Sequence, residues 1–253
     1  MQIQLHRQGV HYAANLSAPL HLSIRLRDGF DNPNCFFAPP VALQPVRAGN
    51  FVGSTAEGGV VNFFNVQLNP HGNGTHTECV GHIAQERFVL PDCLRQSHFF
   101  AKVISVYPQK MDDGDRIILP ERIRECLQPG DAEALIVRTL PNETTKQTAQ
   151  YSGTNPVYFH PEAVAYMVEC GVEHLLTDLP SVDREEDGGQ LAAHKAFWRY
   201  PGPAVRTEAT ITELIFVPDT VKDGDYLLNI QTTALDLDAS PSQPTIYPLT
   251  KLV

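Results

Sequence analysis

The sequence lacks the marks of several protein classes. Its 253 residues hold no apolar run near the roughly 20 that a membrane-spanning helix needs, so no such helix is expected. Bases are scarce as well. With 19 Lys and Arg against 29 Asp and Glu, the net charge is -10, which repels phosphate backbones and anionic lipid. Neither a nucleic acid nor a membrane is an expected partner. The five cysteines (Cys35, Cys79, Cys93, Cys126, Cys170) are odd in number and form no Cys-x-x-Cys, which argues against a disulfide framework and a thiolate zinc site. There is a single tryptophan, Trp198, and no internal repeat, low-complexity tract or long linker. The opening stretch MQIQLHRQGVHYAANL lacks the basic-then-apolar form of a signal peptide, so a cytoplasmic location is expected.

What remains is an ordinary globular composition, 42% hydrophobic and 19% charged, read as one domain over residues 1–253. Alternating or β-branched runs predict strands at 20–26 (LHLSIRL), 59–68 (GVVNFFNVQL), 101–106 (AKVISV) and 134–138 (ALIVR). Further strands are expected in VEHLLTDL, ATITELIFV and DYLLNIQTTAL. Pro120 opens a short helix, and Pro161 opens the clearest one, EAVAYMVEC, with Gly171 as its cap. Interleaved strands and helices, with extra hairpin-like pairs, predict an α/β fold built on a mixed sheet with flanking helices.

The chemistry concentrates in one segment. Three of the ten histidines fall within twelve positions, in His71-Gly-Asn-Gly-Thr-His76-Thr-Glu78-Cys-Val-Gly-His82. On extended backbone His76 and Glu78 project to one face, because side chains alternate with a period of two. Gly72 and Gly74 allow a sharp turn that brings His71 back to the same point. Imidazole and carboxylate together suit zinc or manganese, and the absence of thiolate favours an open, catalytic site over a closed structural one. A lone histidine is usually a satisfied polar residue; a cluster of this density shifts the odds to a metal site.

At these residues the chain resembles a family of metal-dependent hydrolases, the putative cyclase family, which includes bacterial kynurenine formamidase and isatin hydrolase. The family signature is His-x-Gly-Thr-His-x-Asp-x-Pro-x-His, and Gly74, Thr75, His76 and His82 stand at its matching places. Asp178, Ser181 and Asp183 in GVEHLLTDLPSVD match a later Asp-x-x-Ser-x-Asp segment. His194-Lys195, Glu213 in TITEL, and DGDY followed by DASPSQP resemble further family elements. The resemblance implies the swivelling β/β/α fold and a site for one or two divalent metals held by His71, His76, Glu78, His194 and Glu213, with His82 as the acid-base residue. It also implies a homodimer or homotetramer acting on a small molecule: a formamide such as N-formylkynurenine, a cyclic amide or a lactone. A lactonase, dehydratase or cyclase on the same scaffold, or a metal-dependent binding protein without turnover, are the alternatives. Three features depart from the pattern. Glu78 replaces Asp, an extra residue separates His71 from Gly74, and Cys79-Val80 replaces a small-residue-Pro pair.

Other residues have two readings each. Cys79 is a possible nucleophile but more simply a small packing residue. The loop with Asp178, Ser181 and Asp183 is expected to support ligands by hydrogen bonds. Trp198, with Phe197 and Tyr200, walls an aromatic pocket or belongs to the core or a subunit interface.

Overall fold

Apolar runs such as ALIVR become strands buried on both faces, and they sit at the middle of the molecule. The computed structural model describes residues 1–252, in which eleven strands make the main sheet. In chain order they are β1 (Gln2–Arg7), β2 (Val10–Asn15), β3 (Leu20–His21), β4 (His76–Glu78), β5 (His98–Val106), β6 (Ala134–Thr139), β7 (His174–Thr177), β8 (Thr210–Glu213), β9 (Gly224–Asn229), β10 (Ala239–Pro241) and β11 (Thr245–Lys251). Their spatial order is β1-β2-β11-β9-β5-β6-β7-β8-β4-β10, with β3 also paired to β11. The four central strands β5 to β8 run parallel. Antiparallel strands flank them on both sides.

Four helices accompany the sheet: α1 (Leu90–Cys93), α2 (Pro120–Arg124), α3 (Pro161–Glu169) and α4 (Ala192–Trp198). The prolines open α2 and α3 where a missing N–H costs nothing. His160 caps α3, its Nδ1 accepting from Glu162 N at 3.3 Å. Alternation along the parallel strands divides the core. Ile104, Val106, Leu135, Val137, Leu175 and Ile211 face Met167, Phe197 and Trp198 of the helices. Their neighbours Ala101, Val103, Ala134, Ile136 and Leu176 point the other way, into a second core with Leu228 and Ile246. The mixed α/β architecture is the expected one. No helix among the described residues is long and apolar enough to cross a membrane.

Two expected strands are shorter than their sequence pattern. In 20–26 only Leu20–His21 is in the ladder, yet Leu22 and Ile24 stay buried. Their amides have turned to other acceptors: Leu22 N donates to Pro244 O and Ile24 N to Thr75 Oγ1. In 59–68 only Phe64–Gln67 is strand, paired with Ala42–Pro45 in a projecting arm where Val60, Phe63, Phe64 and Val66 are exposed. The chain before it turns back, with Phe63 N donating to Gly53 O. Aromatic and β-branched content marks β propensity there, not burial.

Candidate metal centre

The site begins with register. In the β4–β8 pair His76 lies opposite Glu213 and Glu78 opposite Ile211, so all four side chains share the helix-covered face of the sheet. The preceding turn folds as the glycines require. Gly74 has φ +110°, and a Cβ there would stand 2.7 Å from Leu26 Cδ2; a Cβ on Gly72 would stand 2.3 Å from that of Ala38. The extra residue of this segment, Asn73, is buried and anchors the loop, donating to Pro39 O and accepting from Asn69 N. His71 is thereby returned to the cluster, its Nδ1 3.0 Å from Glu78 Oε2.

His194 arrives from α4, over the same face. Its Nε2 lies 3.2 Å from Glu78 Oε1 and 4.0 Å from Glu213 Oε1. His76 Nε2 is 3.5 Å from Glu213 Oε2. Glu78 therefore turns Oε1 toward His194 and Oε2 toward His71. His82, the most exposed of the four histidines, has its Nδ1 3.8 Å from Glu78 Oε2 and 3.6 Å from Asp238 Oδ2. All six residues expected from the sequence, His71, His76, Glu78, His82, His194 and Glu213, are thus brought into one cluster from elements more than a hundred residues apart.

Each inward imidazole is oriented from behind. His76 Nδ1 donates to Gly74 O at 2.9 Å, His194 Nδ1 to an Asp183 oxygen at 2.6 Å, and His71 Nε2 to an Asp238 oxygen at 2.8 Å. In every case the second ring nitrogen is left aimed at Glu78 or Glu213, the arrangement that fixes the tautomer of a metal-binding histidine. Asp183 also accepts from the N–H groups of Ala193 and His194 at the start of α4. Glu213 is held by Val182 N at 2.9 Å. The support expected from the 178–183 loop comes from Asp183. Asp178 instead ties Thr139 and Lys146, away from the cluster.

Among the described residues three buried side-chain atoms end without hydrogen-bond partners: Ser242 Oγ and, within the cluster, His76 Nε2 and Glu78 Oε2. The 3.0 Å approach of His71 to that oxygen lacks hydrogen-bond alignment. Leaving such groups unpaired in a dry interior costs about 1–3 kcal/mol each, so the donor set fits a cation that both would face. Electrostatics agree. Burial opposes a charge on His71 and His194, but the Asp238, Asp183 and Glu78 carboxylates outweigh it and raise both imidazoles to about 10. Burial works against the Glu78 carboxylate too, and His82, His194 and His71 together hold it well below its ordinary range. Hydrogen bonding from His71 and the nearby His82 hold Asp238 below its ordinary range. Four carboxylates around four imidazoles make a site ready for positive charge.

Asp238 is the member that the sequence reading passed over. It lies at the edge of β10, 167 positions from its partner His71, inside the DASPSQP segment read only as a closing strand and turn. Nothing local to that segment signals its role. Cys79 is fully buried against Leu90 and Cys93, a packing position, and its contact with Cys93 and its burial push the thiol up. Trp198 is also fully buried, stacked on His194 at 5.5 Å between ring centroids and donating from Nε1 to Ala209 O. It is a core residue under the site. Glu208, the other nearby carboxylate, is an exposed partner of Arg95.

The model of the family described as Putative cyclase matches residues 11–184. The chain belongs to the cyclase family. Solved structures agree on the fold. A potential metal-dependent hydrolase with cyclase activity aligns with a TM-score of 0.65 at 14% identity, covering 91% of this chain and 97% of its own. Isatin hydrolase A from Labrenzia aggregata aligns with a TM-score of 0.66 at 14% identity, covering 91% and 93%. A predicted metal-dependent hydrolase from Bacillus stearothermophilus aligns with a TM-score of 0.61 at 15% identity, covering 91% and 98%. No curated protein matches the chain.

Proposed function

We propose that this cyclase-family member is a metal-dependent hydrolase that opens a small amide-type substrate, a formamide such as N-formylkynurenine, a cyclic amide or a lactone, with water. The observation that carries the reading is the pair of buried, unpartnered atoms, His76 Nε2 and Glu78 Oε2, on residues that with His71 offer ligand atoms within 4.8 Å of one another. His71, His76, Glu78, His194 and Glu213 would hold one or two divalent cations, with His71, His76 and Glu78 already grouped for one. Such a cation supplies Lewis-acid chemistry, polarising a carbonyl and acidifying water.

The chain's own groups do the rest. His82 sits at the exposed rim with its Nδ1 toward Asp238, which leaves Nε2 for substrate. From there it takes a proton from the attacking water and returns it to the leaving nitrogen or oxygen as the tetrahedral adduct collapses. Asp238 steadies His82 and His71 together; Asp183 fixes His194. The buried Trp198 beneath His194 keeps water from that side of the site.

Zinc or manganese as the cation and a cytoplasmic location belong to the same reading. So does a homodimer or homotetramer, which the exposed apolar side chains of the 42–67 arm support. The test is turnover of N-formyl-aniline, cyclic amide and lactone panels by protein loaded with each metal, beside protein stripped by chelator. Metal-dependent turnover of at least one class is expected, and equal, background-level rates with and without metal would reject the reading.

A further inference from the structure

A sizeable cavity lies elsewhere. It encloses about 520 Å³ beyond the carboxyl ends of the parallel strands, lined by Tyr107 after β5, Thr139 at the end of β6 and Asp178 after β7. That is where ligands settle in open α/β sheets, and the volume suits a small organic molecule. Tyr107, Tyr151, Pro141 and Pro156 give its wall apolar surface beside polar and charged side chains. Tyr151 and Pro156 also border a small recess with Cys35 and Asp183, the residue that orients His194, and none of His71, His76, Glu78, His82, His194 and Glu213 lines the cavity itself.

The cavity's charge is unusual. Lys110 and Arg116 both line it, and they are directly opposite each other in the antiparallel pair Gln109–Lys110 with Arg116–Ile118. Like charges at facing positions destabilise a strand pair. No carboxylate relieves them. Asp115, next in the chain, is committed to Arg184, Asn155 and Tyr158, and Arg122 finds Glu125. Deeper in, Lys146 is neutralised by Asp178 at 2.8 Å. Glu143, at the rim, accepts from Thr145 Oγ1 at 3.3 Å and is the one other acid in the lining. In a chain of net charge -10, two facing and unpaired cations over an apolar pocket form a local positive field.

We propose that this cavity is a second ligand site, separate from the metal centre, for a small aromatic or aliphatic molecule carrying one anionic group. The anion sits between Lys110 and Arg116, and the apolar body lies against Tyr107, Tyr151 and the prolines.

Calorimetric titration of the metal-loaded protein with 3-phenylpropionate tests this, beside 3-phenylpropionamide, acetate and inorganic phosphate. Saturable binding of 3-phenylpropionate is expected, at least tenfold tighter than the amide, which lacks the charge, and than acetate and phosphate, which lack the apolar body. Lys110→Gln with Arg116→Gln should weaken it at least tenfold, and His194→Ala should leave it within threefold. Thermal unfolding gives a second readout. Lys110→Gln alone should raise the midpoint of ligand-free protein by about 1–3 °C as the repulsion is relieved, and should reduce the upward shift that 3-phenylpropionate gives the parent. Three results would overturn the proposal: no saturation below about 10 mM, binding unchanged in the Lys110/Arg116 variant, or binding lost in His194→Ala, which would move the anion to the metal centre.

Discussion

Replacing Asp183 with asparagine exchanges one oxygen for nitrogen where α4, His194 and the metal centre meet. The carboxylate accepts three bonds there: Ala193 N at 2.7 Å on one oxygen, and His194 N at 3.1 Å with His194 Nδ1 at 2.6 Å on the other. An amide has one accepting oxygen. If that oxygen keeps His194, its NH2 confronts the buried Ala193 N–H, which then lacks an acceptor at a cost of about 1–3 kcal/mol. If the amide turns, its NH2 faces Nδ1 and drives the imidazole proton onto Nε2, into the 3.2 Å space before Glu78 Oε1 where a cation would be held. Loss of such an outer partner typically weakens metal binding 10–100-fold, about 1.4–2.7 kcal/mol. Zinc or manganese titrated against a competing chelator reads that loss, and thermal unfolding of stripped protein reads the structural cost. For a chain of this size about 2–4 °C per kcal/mol gives a fall of roughly 2–12 °C. Asp178→Asn is the control. Asp178 is equally buried but serves Thr139 and Lys146, so its variant should lose stability and keep metal affinity within about threefold. Parent-like metal binding by Asp183→Asn, or an equal loss in both variants, would refute the reasoning.

Glu78→Asp withdraws the carboxylate by about 1.5 Å, one carbon–carbon bond, from contacts of 3.0 Å to His71 and 3.2 Å to His194. Metal–oxygen distances tolerate only about 0.2 Å, so metal affinity should fall at least tenfold, and an unchanged affinity would remove Glu78 from the site. His82→Ala should cut turnover by about 10²–10⁴-fold with metal retained; loss of metal in step with activity would make His82 a ligand. Acid should expose His174, a buried imidazole against Phe99 that burial and Arg206 lower to about 3. The unfolded chain takes up that proton below the ordinary value of about 6.5 and the folded chain does not. Its contribution is therefore intact above that pH and falls by about 1.4 kcal/mol per unit toward pH 3, reaching about 2.7 kcal/mol lost at pH 4.5. Urea midpoints at pH 7 and 4.5 should separate less in His174→Gln than in the parent, and equal separations would show that His174 does not titrate in this range.

The sequence by itself determined the local half of this protein. His71, His76, Glu78 and His82 lie within one turn and one short strand, and the period of two with the two glycines is enough to aim them together. Apolar strands such as ALIVR and the proline-started helix at 161 were legible for the same reason, since each is specified by neighbours in the chain. Burial of Phe197 and Trp198, and the neutral packing of Cys79, were open between readings, because a side chain's surroundings are set by whatever packs over it. The 59–68 run shows the same limit: its composition allows a strand, but only the missing cover decides that it is an exposed arm. Tertiary structure alone decided how His194 meets Glu78 across 116 positions and how Asp238 meets His71 across 167. Strand order set Glu213 of β8 and Asp238 beside β10 on either side of β4, and the packing of α4 over that face brought His194. Lys110 and Arg116 face each other across a local hairpin, but only the tertiary structure sets that hairpin at the cavity beyond the carboxyl ends of the parallel strands.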